Sequence, residues 1–314
     1  MFDRIVVAHI SDVHLGPVTG FTPRHWNAKR LTGYVNWRRR RRHAHQRPVT
    51  ERMVADIRAQ APDHILVSGD LANLGLASEL AGARRWLECV GPPDRVSVVP
   101  GNHDIYARMQ RGDVGVGRWL DYMRDDDPHT TTSPDNVNFP FVRRIGPLAI
   151  IGVNSAIPTR PLIAHGALGA RQRARLADIL EDLGRRRLFR LVMLHHPPLT
   201  GQTDARHGLI DAPELMAILT RHGAELVIHG HLHRAMQAWH PGPARPIPVV
   251  GAPSGSLVHP RPHETPAGYH LYEIDDASGP SPRIHVIYRG LDAARQSIIE
   301  MARHTLTPSP APAG

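Results

Sequence analysis

Short, nearly continuous apolar runs recur along this chain and alternate with longer stretches of helical spacing. The runs are residues 4–10 (RIVVAHI), 64–68 (HILVS), 95–99 (RVSVV), 148–153 (LAIIGV), 191–194 (LVML) and 226–228 (LVI). Hydrophobicity without alternation over so few residues predicts strands buried on both faces. Helices are predicted over residues 49–60, 78–90, 170–183 and 212–222. Pro48 and Thr50 mark the start of the first, and Pro213 lies near the start of the last, where proline is tolerated. Gly184 and Gly223 stand where glycine ends a helix. Alternating strand and helix implies an α/β core with helices outside. Beyond Pro246, runs at 247–250, 269–274 and 284–288 separated by Gly/Pro segments predict antiparallel strands completing a second sheet. The expected organisation is one domain over residues 1–300, with residues 301–314 (ending TLTPSPAPAG) as a flexible tail.

Polar clusters follow five of these runs: Asp12-Val-His14, Gly69-Asp70, Gly101-Asn102-His103-Asp104, His195-His196-Pro197 and Gly230-His231-Leu232-His233. In open α/β sheets, ligands bind beyond the carboxyl ends of the strands. Asp12 with His14, and His231 with His233, are spaced two apart, which in extended backbone points both side chains to one side. An isolated Asp-x-His carries little information. Five ordered clusters at strand ends supply enough oxygen and nitrogen donors for two adjacent divalent metals. Two such ions about 3.5–4 Å apart repel and need a bridging carboxylate, for which Asp70 is the best candidate. Asn102 adds an amide oxygen. The set lacks thiolate and is too rich in imidazole for calcium or magnesium alone; it suits manganese, iron, zinc or cobalt. Sharing metals requires one domain to enclose Asp12 through His233.

Taken together and in this order, the motifs D-x-H, G-D, G-N-H-D, H-x-P and G-H-x-H resemble those of the calcineurin-like metallophosphoesterases, over roughly residues 4–235. The resemblance implies an α/β, two-sheet αββα sandwich with a dinuclear metal site at the strand C-terminal ends. It also implies that Asp12, His14, Asp70 and His233 hold one metal, and Asp70, Asn102, His195 and His231 the other. The reaction expected is in-line attack of an activated water on phosphorus, with cations stabilising the equatorial charge. His103, whose place as a ligand Asn102 takes, is then expected to protonate the leaving group or stabilise transition-state charge, and Asp104 to orient it.

Charge changes the picture in one segment. The chain carries a formal +9 and a pI near 10.6. Between Val13 and Thr50 there is no acidic residue, while Arg24, Lys29, Arg30, Arg38, Arg39, Arg40, Arg41, Arg42 and Arg47 all fall there. This basic insert, about residues 17–47, is where many family members have a shorter connection. Leu31, Tyr34 and Val35 have helical spacing, and Asn27 is a candidate cap. The insert reads either as a cap over the site mouth or as a basic amphipathic surface docking on anionic lipid through residues 24–47. Its string NAKRLTGYVNWRRRRR resembles a stretch of the chlamydial-type UDP-2,3-diacylglucosamine pyrophosphatases. The arginines at 38–42 are expected to matter little for a small soluble diester, since the metal ligands lie elsewhere in sequence.

The substrate implied is an anionic phosphate ester, a phosphodiester or pyrophosphate, with a membrane-associated UDP-acylsugar as the first specific reading. Cyclic nucleotide or glycerophosphodiester hydrolysis comes next, then nuclease action on a single strand held by basic and aromatic side chains. A non-catalytic interaction module is disfavoured because every ligand position and His103 are filled. No apolar run approaches bilayer-spanning length, and the N-terminus reads as a first strand and not as a secretory signal. The expected location is cytoplasmic, with a peripheral position at the inner membrane face under the lipid reading. The single cysteine, Cys89, excludes an intramolecular disulfide and is expected to be a buried thiol on a helix. His9 is expected to pack in the core. His25, His43, His45, His165, His207, His222, His240, His263 and His285 are expected in solvent. His196 and the segment 251–256 (GAPSGS) could face substrate or merely pack.

Overall fold

Strand β1 (Arg4–Ile10) lies inside a sheet, flanked on both sides, which is why its sequence is apolar on both faces. On one side it pairs in parallel with β2 (His64–Val67), and β2 with β3 (Val96–Val98). On the other it pairs antiparallel with β10 (Gly268–Asp275), which continues to β11 (Arg283–Asp292) and β12 (Ser297–Thr305). The second sheet runs β4 (Phe141–Ile145), β5 (Leu148–Gly152), β6 (Phe189–Met193), β7 (Leu226–His229), β9 (Ile247–Gly251), β8 (Met236–His240). Its inner four strands are parallel and its two edges antiparallel. This computed structural model describes residues 4–107, 115–126, 139–279, 281–292, 294 and 296–306.

Strand period two divides the core. Leu148, Ile150, Leu191, Met193, Leu226 and Ile228 share one apolar cluster with the first sheet and with α3 (Arg47–Ala59) and α4 (Ala77–Val90). The alternate residues Ala149, Ile151, Val192 and Val227 join Leu176, Leu180, Leu215 and Leu219 from α5 (Ala170–Arg185) and α6 (Ala212–His222). The four predicted helices and the six apolar strands are all present. The expected αββα sandwich is therefore the architecture of the chain.

Several expectations need correction. The strands after Pro246 do not form one antiparallel group. Strand β9 enters the second sheet parallel to β7, whereas β10 and β11 return to the first sheet beside β1. Strands β4, β8 and β12 have no counterpart among the predicted runs; they are edges whose outer side chains face water, so they lack a continuous apolar run. The tail expected to be flexible from residue 301 is strand as far as Thr305, paired His304 to Val286 and Thr305 to His285. The rest of that tail, from 307, lies outside the described residues. Cys89 is on a helix as expected, but it is exposed, because Leu80, Ala83, Leu87 and Val90 are the face of α4 that meets the core.

The basic insert folds as a cap. Asn27 accepts a hydrogen bond from Arg30 N at 2.9 Å and starts α1 (Ala28–Asn36). A π-helical turn over Trp37–Arg41 and a short α2 (Arg42–Ala44) come next. Phe21, Tyr34 and Trp37 stack in series and pack on Val18, Leu74, Leu76 and Tyr106. Lys29 and Arg30 are buried, and Arg30 donates to the carbonyls of Leu74 at 3.3 Å and Gly75 at 3.1 Å. Beyond α2 the backbone is tied to segment 251–256 and its neighbours by Gln46 N to Ser256 O and Val258 N to Ala44 O.

Candidate metal centre

All five polar clusters arrive at one end of the two sheets, each on the loop leaving a strand. The loop after β1 is hydrogen-bonded to the loop after β2 through Asp12 N to Gly69 O and His14 N to Asp70 O, both 3.0 Å. The extended geometry expected of Asp12-x-His14 and His231-x-His233 is not found. Asp12, His14, Asp70, His231 and His233 all have positive φ, between 40° and 69°. Such backbone costs on the order of 1 kcal/mol or more per residue and persists only where surroundings over-determine it. Asp104 supplies much of that determination. Its carboxylate accepts from the backbone N–H groups of Asp70, Leu71, Ala72 and Gly101 at 2.8–2.9 Å. The expectation that Asp104 orients His103 is therefore corrected. That task falls to the Asn73 carbonyl, which accepts from His103 Nδ1 at 2.6 Å.

The donor atoms converge around Asp70. Asp70 Oδ2 is 3.8 Å from His14 Nε2 and 3.5 Å from His195 Nε2. On one side His233 Nε2 lies 3.4 Å from His14 Nε2 and 3.3 Å from Asp12 Oδ1. On the other, His195 Nε2 lies 3.1 Å from Asn102 Oδ1 and 3.2 Å from His231 Nδ1. Remote partners fix the ring orientations. His14 Nδ1 donates to Ala72 O at 3.2 Å, His195 Nδ1 donates to Ser68 O at 2.7 Å, and Glu264 stands 3.6 Å behind His233 Nδ1.

These residues fit a pair of cations. Asp12 Oδ1 is buried and accepts no hydrogen bond. His14, with its proton committed to Ala72, turns a bare Nε2 lone pair toward the Asp70 carboxylate, 3.8 Å away. Burial alone would lower the pKa of His195 and His233, yet Asp70 raises the first and Asp12 the second, each to about 9. Burial opposes charge on Asp12 as well, but His233 brings its carboxyl down to about 2. Protons on His195 and His233 thus do in the protein alone what divalent ions would do better. His14 and His231 go the other way: burial first, then neighbouring cations, push both below the ordinary imidazole value, to about 3 for His231.

His196 falls in the same cluster of imidazoles but both its ring nitrogens are used, Nδ1 by Ser155 Oγ at 2.8 Å and Nε2 by Ala164 O at 3.1 Å. It packs. Segment 251–256 supports the site from behind, with Ser254 Oγ donating to Asp12 O at 2.7 Å. His9 is in the core, bonded to Ser68 Oγ at 2.8 Å, as expected. Two histidines expected in solvent are not there. His240 is buried against α6, and His45 packs edge-on to His14 at 4.6 Å, its Nδ1 2.8 Å from Ser256 Oγ. Sequence reasoning also missed Arg41 and Glu264. No motif marks either; they reach the site only because the cap and the loop before β10 fold back over it.

A cavity of about 530 Å³ opens over these donors, lined by His14, Asp70, Asn102, His103, His231 and His233, with Arg40, Arg41 and His45 from the cap. Clefts of similar size between α3 and α4 and beside α5 contain none of these donors.

The family model for calcineurin-like phosphoesterases matches residues 5–235. A Synechococcus protein named as a probable cyclic nucleotide phosphodiesterase is 29% identical over 244 residues, covering 76% of this chain and 82% of that protein. A glycerophosphodiester phosphodiesterase of Enterobacter lignolyticus is 29% identical over 143 residues, 45% of this chain and 44% of the relative. Among solved structures, a dimetal phosphatase from Danio rerio superposes with a TM-score of 0.56 at 12% identity, covering 95% of this chain and 98% of that one. A purple acid phosphatase from yellow lupin seeds gives 0.58 at 11% identity over 96% of this chain and 53% of its own. The family generally uses a dinuclear divalent metal site, and candidate ligands for one stand together here. The matched span takes in every one of the five clusters, and the chain belongs to the calcineurin-like phosphoesterase family, a hydrolase of phosphoric esters.

Proposed function

We propose that this chain is a two-metal phosphodiesterase or pyrophosphatase in which Asp12, His14, Asp70 and His233 hold one divalent transition metal, and Asp70, Asn102, His195 and His231 the other. Asp70 carries the reading, because its Oδ2 lies between the two groups of donors. Imidazole, carboxylate and a single amide suit manganese, iron, zinc or cobalt. When bound, the metals supply Lewis acidity at phosphoryl oxygens and lower the pKa of water.

The chain's own residues do the rest. Asp104 holds the loop of Asp70 in its strained form, and His103 N donates to Asp70 Oδ1 at 2.7 Å, keeping Oδ2 turned to the donors. The His103 ring gives its Nδ1 proton to Asn73 O, so Nε2 is its working nitrogen. Burial, and then the Arg41 charge, lower its pKa to about 3. An anionic phosphoryl group arriving beside the ring opposes both effects and favours a proton on Nε2, available to the leaving oxygen.

For the substrate, a UDP-acylsugar presented at the inner face of a membrane is supported by the cap. Trp26, Leu31 and Val35 are 58%, 40% and 46% exposed beside exposed Arg38, Arg39 and Arg42. The names of the relatives favour a second reading, a cyclic nucleotide or a glycerophosphodiester. No helix among the described residues is long and apolar enough to cross a membrane.

The test is a screen of manganese-, zinc-, cobalt- and iron-reconstituted protein against bis-p-nitrophenyl phosphate, p-nitrophenyl phosphate, cyclic AMP, UDP-diacylglucosamine and single-stranded DNA, with elemental analysis. Two equivalents of metal and turnover of UDP-diacylglucosamine are expected. Cyclic AMP turnover without it transfers the substrate to the second reading. One metal or none in an active preparation ends the dinuclear assignment.

A further inference from the structure

Of five consecutive arginines, Arg38 to Arg42, Arg40 and Arg41 both reach the cavity over the metal donors, but only Arg41 is partly buried there. The other four are exposed. The π-helical turn that ends on Arg41 explains the choice. One extra residue in the turn rotates the succeeding side chains by roughly 100° relative to a continuing α-helix, so a regular helix would aim a different one. The cap that carries it is anchored on both sides: by the stacked Phe21, Tyr34 and Trp37, and by Gln46 and Val258 beyond α2.

The position of the guanidinium is unexplained by the protein alone. Its Nη1 is 3.0 Å from His103 Nδ1. That nitrogen lies 2.6 Å from Asn73 O, which can only accept, so Nδ1 bears the ring proton and directs it there. Nδ1 then has no lone pair to offer, and the arginine gains no hydrogen bond from the contact. Among the described residues Arg41 forms no ion pair with a carboxylate. A cation left without an acceptor in a partly closed cavity is costly, and an anion with two adjacent oxygens is the group that matches its planar fork.

We infer that Arg41 is a catalytic residue, its guanidinium binding a non-bridging oxygen of the reacting phosphoryl group, so that the cap is part of the active site. This assignment rests on the two-metal hydrolase reading above. It runs against the expectation that the arginines at 38–42 matter little for a small soluble diester, and the experiment below decides between the two.

The experiment uses the full chain loaded with manganese, as parent, Arg41→Ala and Arg41→Lys. Three quantities are read: kcat/KM on bis-p-nitrophenyl phosphate, calorimetric affinity for inorganic phosphate, and rescue by added guanidinium. Arg41→Ala should lose on the order of 10²–10³ in kcat/KM, the range for removing one donor to developing charge. It should bind phosphate at least about tenfold more weakly, keep its metal content, and regain activity with guanidinium; Arg41→Lys should fall between. An Arg41→Ala protein with parental turnover and phosphate affinity overturns the inference and leaves the two-metal hydrolase reading intact. Lost turnover with unchanged phosphate affinity and no guanidinium rescue also overturns it, making Arg41 a structural residue. A parent that hydrolyses neither a diester nor UDP-diacylglucosamine sinks that reading, and the phosphate affinities of parent and variants still decide whether Arg41 binds the anion.

Discussion

The His103 ring touches Asn73, Arg41, Tyr106 and, edge-on at 5.0 Å, His14, whose own orientation is set by Ala72 O; its backbone N–H, not its ring, supports Asp70. Removing the ring therefore leaves the proposed ligands and their main-chain support in place. His103→Ala is expected to retain both metals, read by elemental analysis, and to lose on the order of 10²–10⁴ in rate. The loss should shrink for p-nitrophenyl leaving groups, which need little protonation. A variant stripped of metal would instead make His103 a ligand. At this scale the sequence was most informative where residues come in motifs, and least where one side chain acts alone. Asp12 through His233 were legible from order and spacing. His196, one position from a candidate ligand, differs from it only in having both nitrogens taken by Ser155 and Ala164. Nothing in the sequence distinguishes those two imidazoles except the alignment of His195 with H-x-P.

Elements hold these residues by close approach. The loops after β2 and β3 touch so tightly that a Cβ on Gly69, whose φ is 93°, would lie 2.4 Å from Gly101 N. The cap depends on a similar contact. A Cβ on Gly33 of α1 would come within 2.1 Å of the Tyr106 hydroxyl and 2.8 Å of Leu74 Cδ2, and Tyr106 stacks on His103 with centroids 5.1 Å apart. Gly33→Ala should therefore lift the cap from its seat and withdraw Arg41 while leaving the donors beneath untouched. The expected result is parental metal content with activity on bis-p-nitrophenyl phosphate lowered at least about tenfold, given the size of single-donor effects. Parental activity in Gly33→Ala would mean that the cap's seat is irrelevant to the chemistry. Strand prediction by apolar runs succeeded for β1, β2, β5, β6 and β7, which are flanked on both sides, and for β3, an edge strand whose three residues are all buried. It failed for β4, β8 and β12, because an edge strand needs only one dry face.

Across the whole molecule, folding assembles charges that metal uptake must rearrange. In the metal-free protein His195 and His233 titrate near 9, above the ordinary 6.5, because Asp70 and Asp12 outweigh burial. Each must lose a proton before its Nε2 can bind a metal. Affinity for manganese should rise with pH up to about 9, and near pH 7 uptake should release about two protons, one from each ring. Calorimetry in buffers of different ionisation heat counts them; release of none would contradict the assignment of these two imidazoles. The stability consequence has a definite sign. A folded-state pKa above the unfolded one contributes fully below about 6.5 and is lost as pH rises through about 9. The metal-free protein should thus melt at progressively lower temperature across that window, while saturating metal offsets the loss.

What the sequence determined by itself was the α/β alternation, the six buried strands and the inventory of candidate metal donors. Each depends on local pattern: strand period, helix caps and turns, and residue types at fixed short spacings. Only the tertiary structure decided that β10 and β11 return to the first sheet, that Asp104 serves backbone amides and not His103, and that the cap delivers Arg41 and His45 to the donors. Those outcomes are set by contacts between residues far apart in the chain. His45 meets Ser256, Asp104 meets the amides of residues 70–72, and β1 meets β10 across most of the sequence. Short-range pattern holds no record of such meetings, because packing and hydrogen-bond satisfaction choose among several partners that a local sequence would accept equally well.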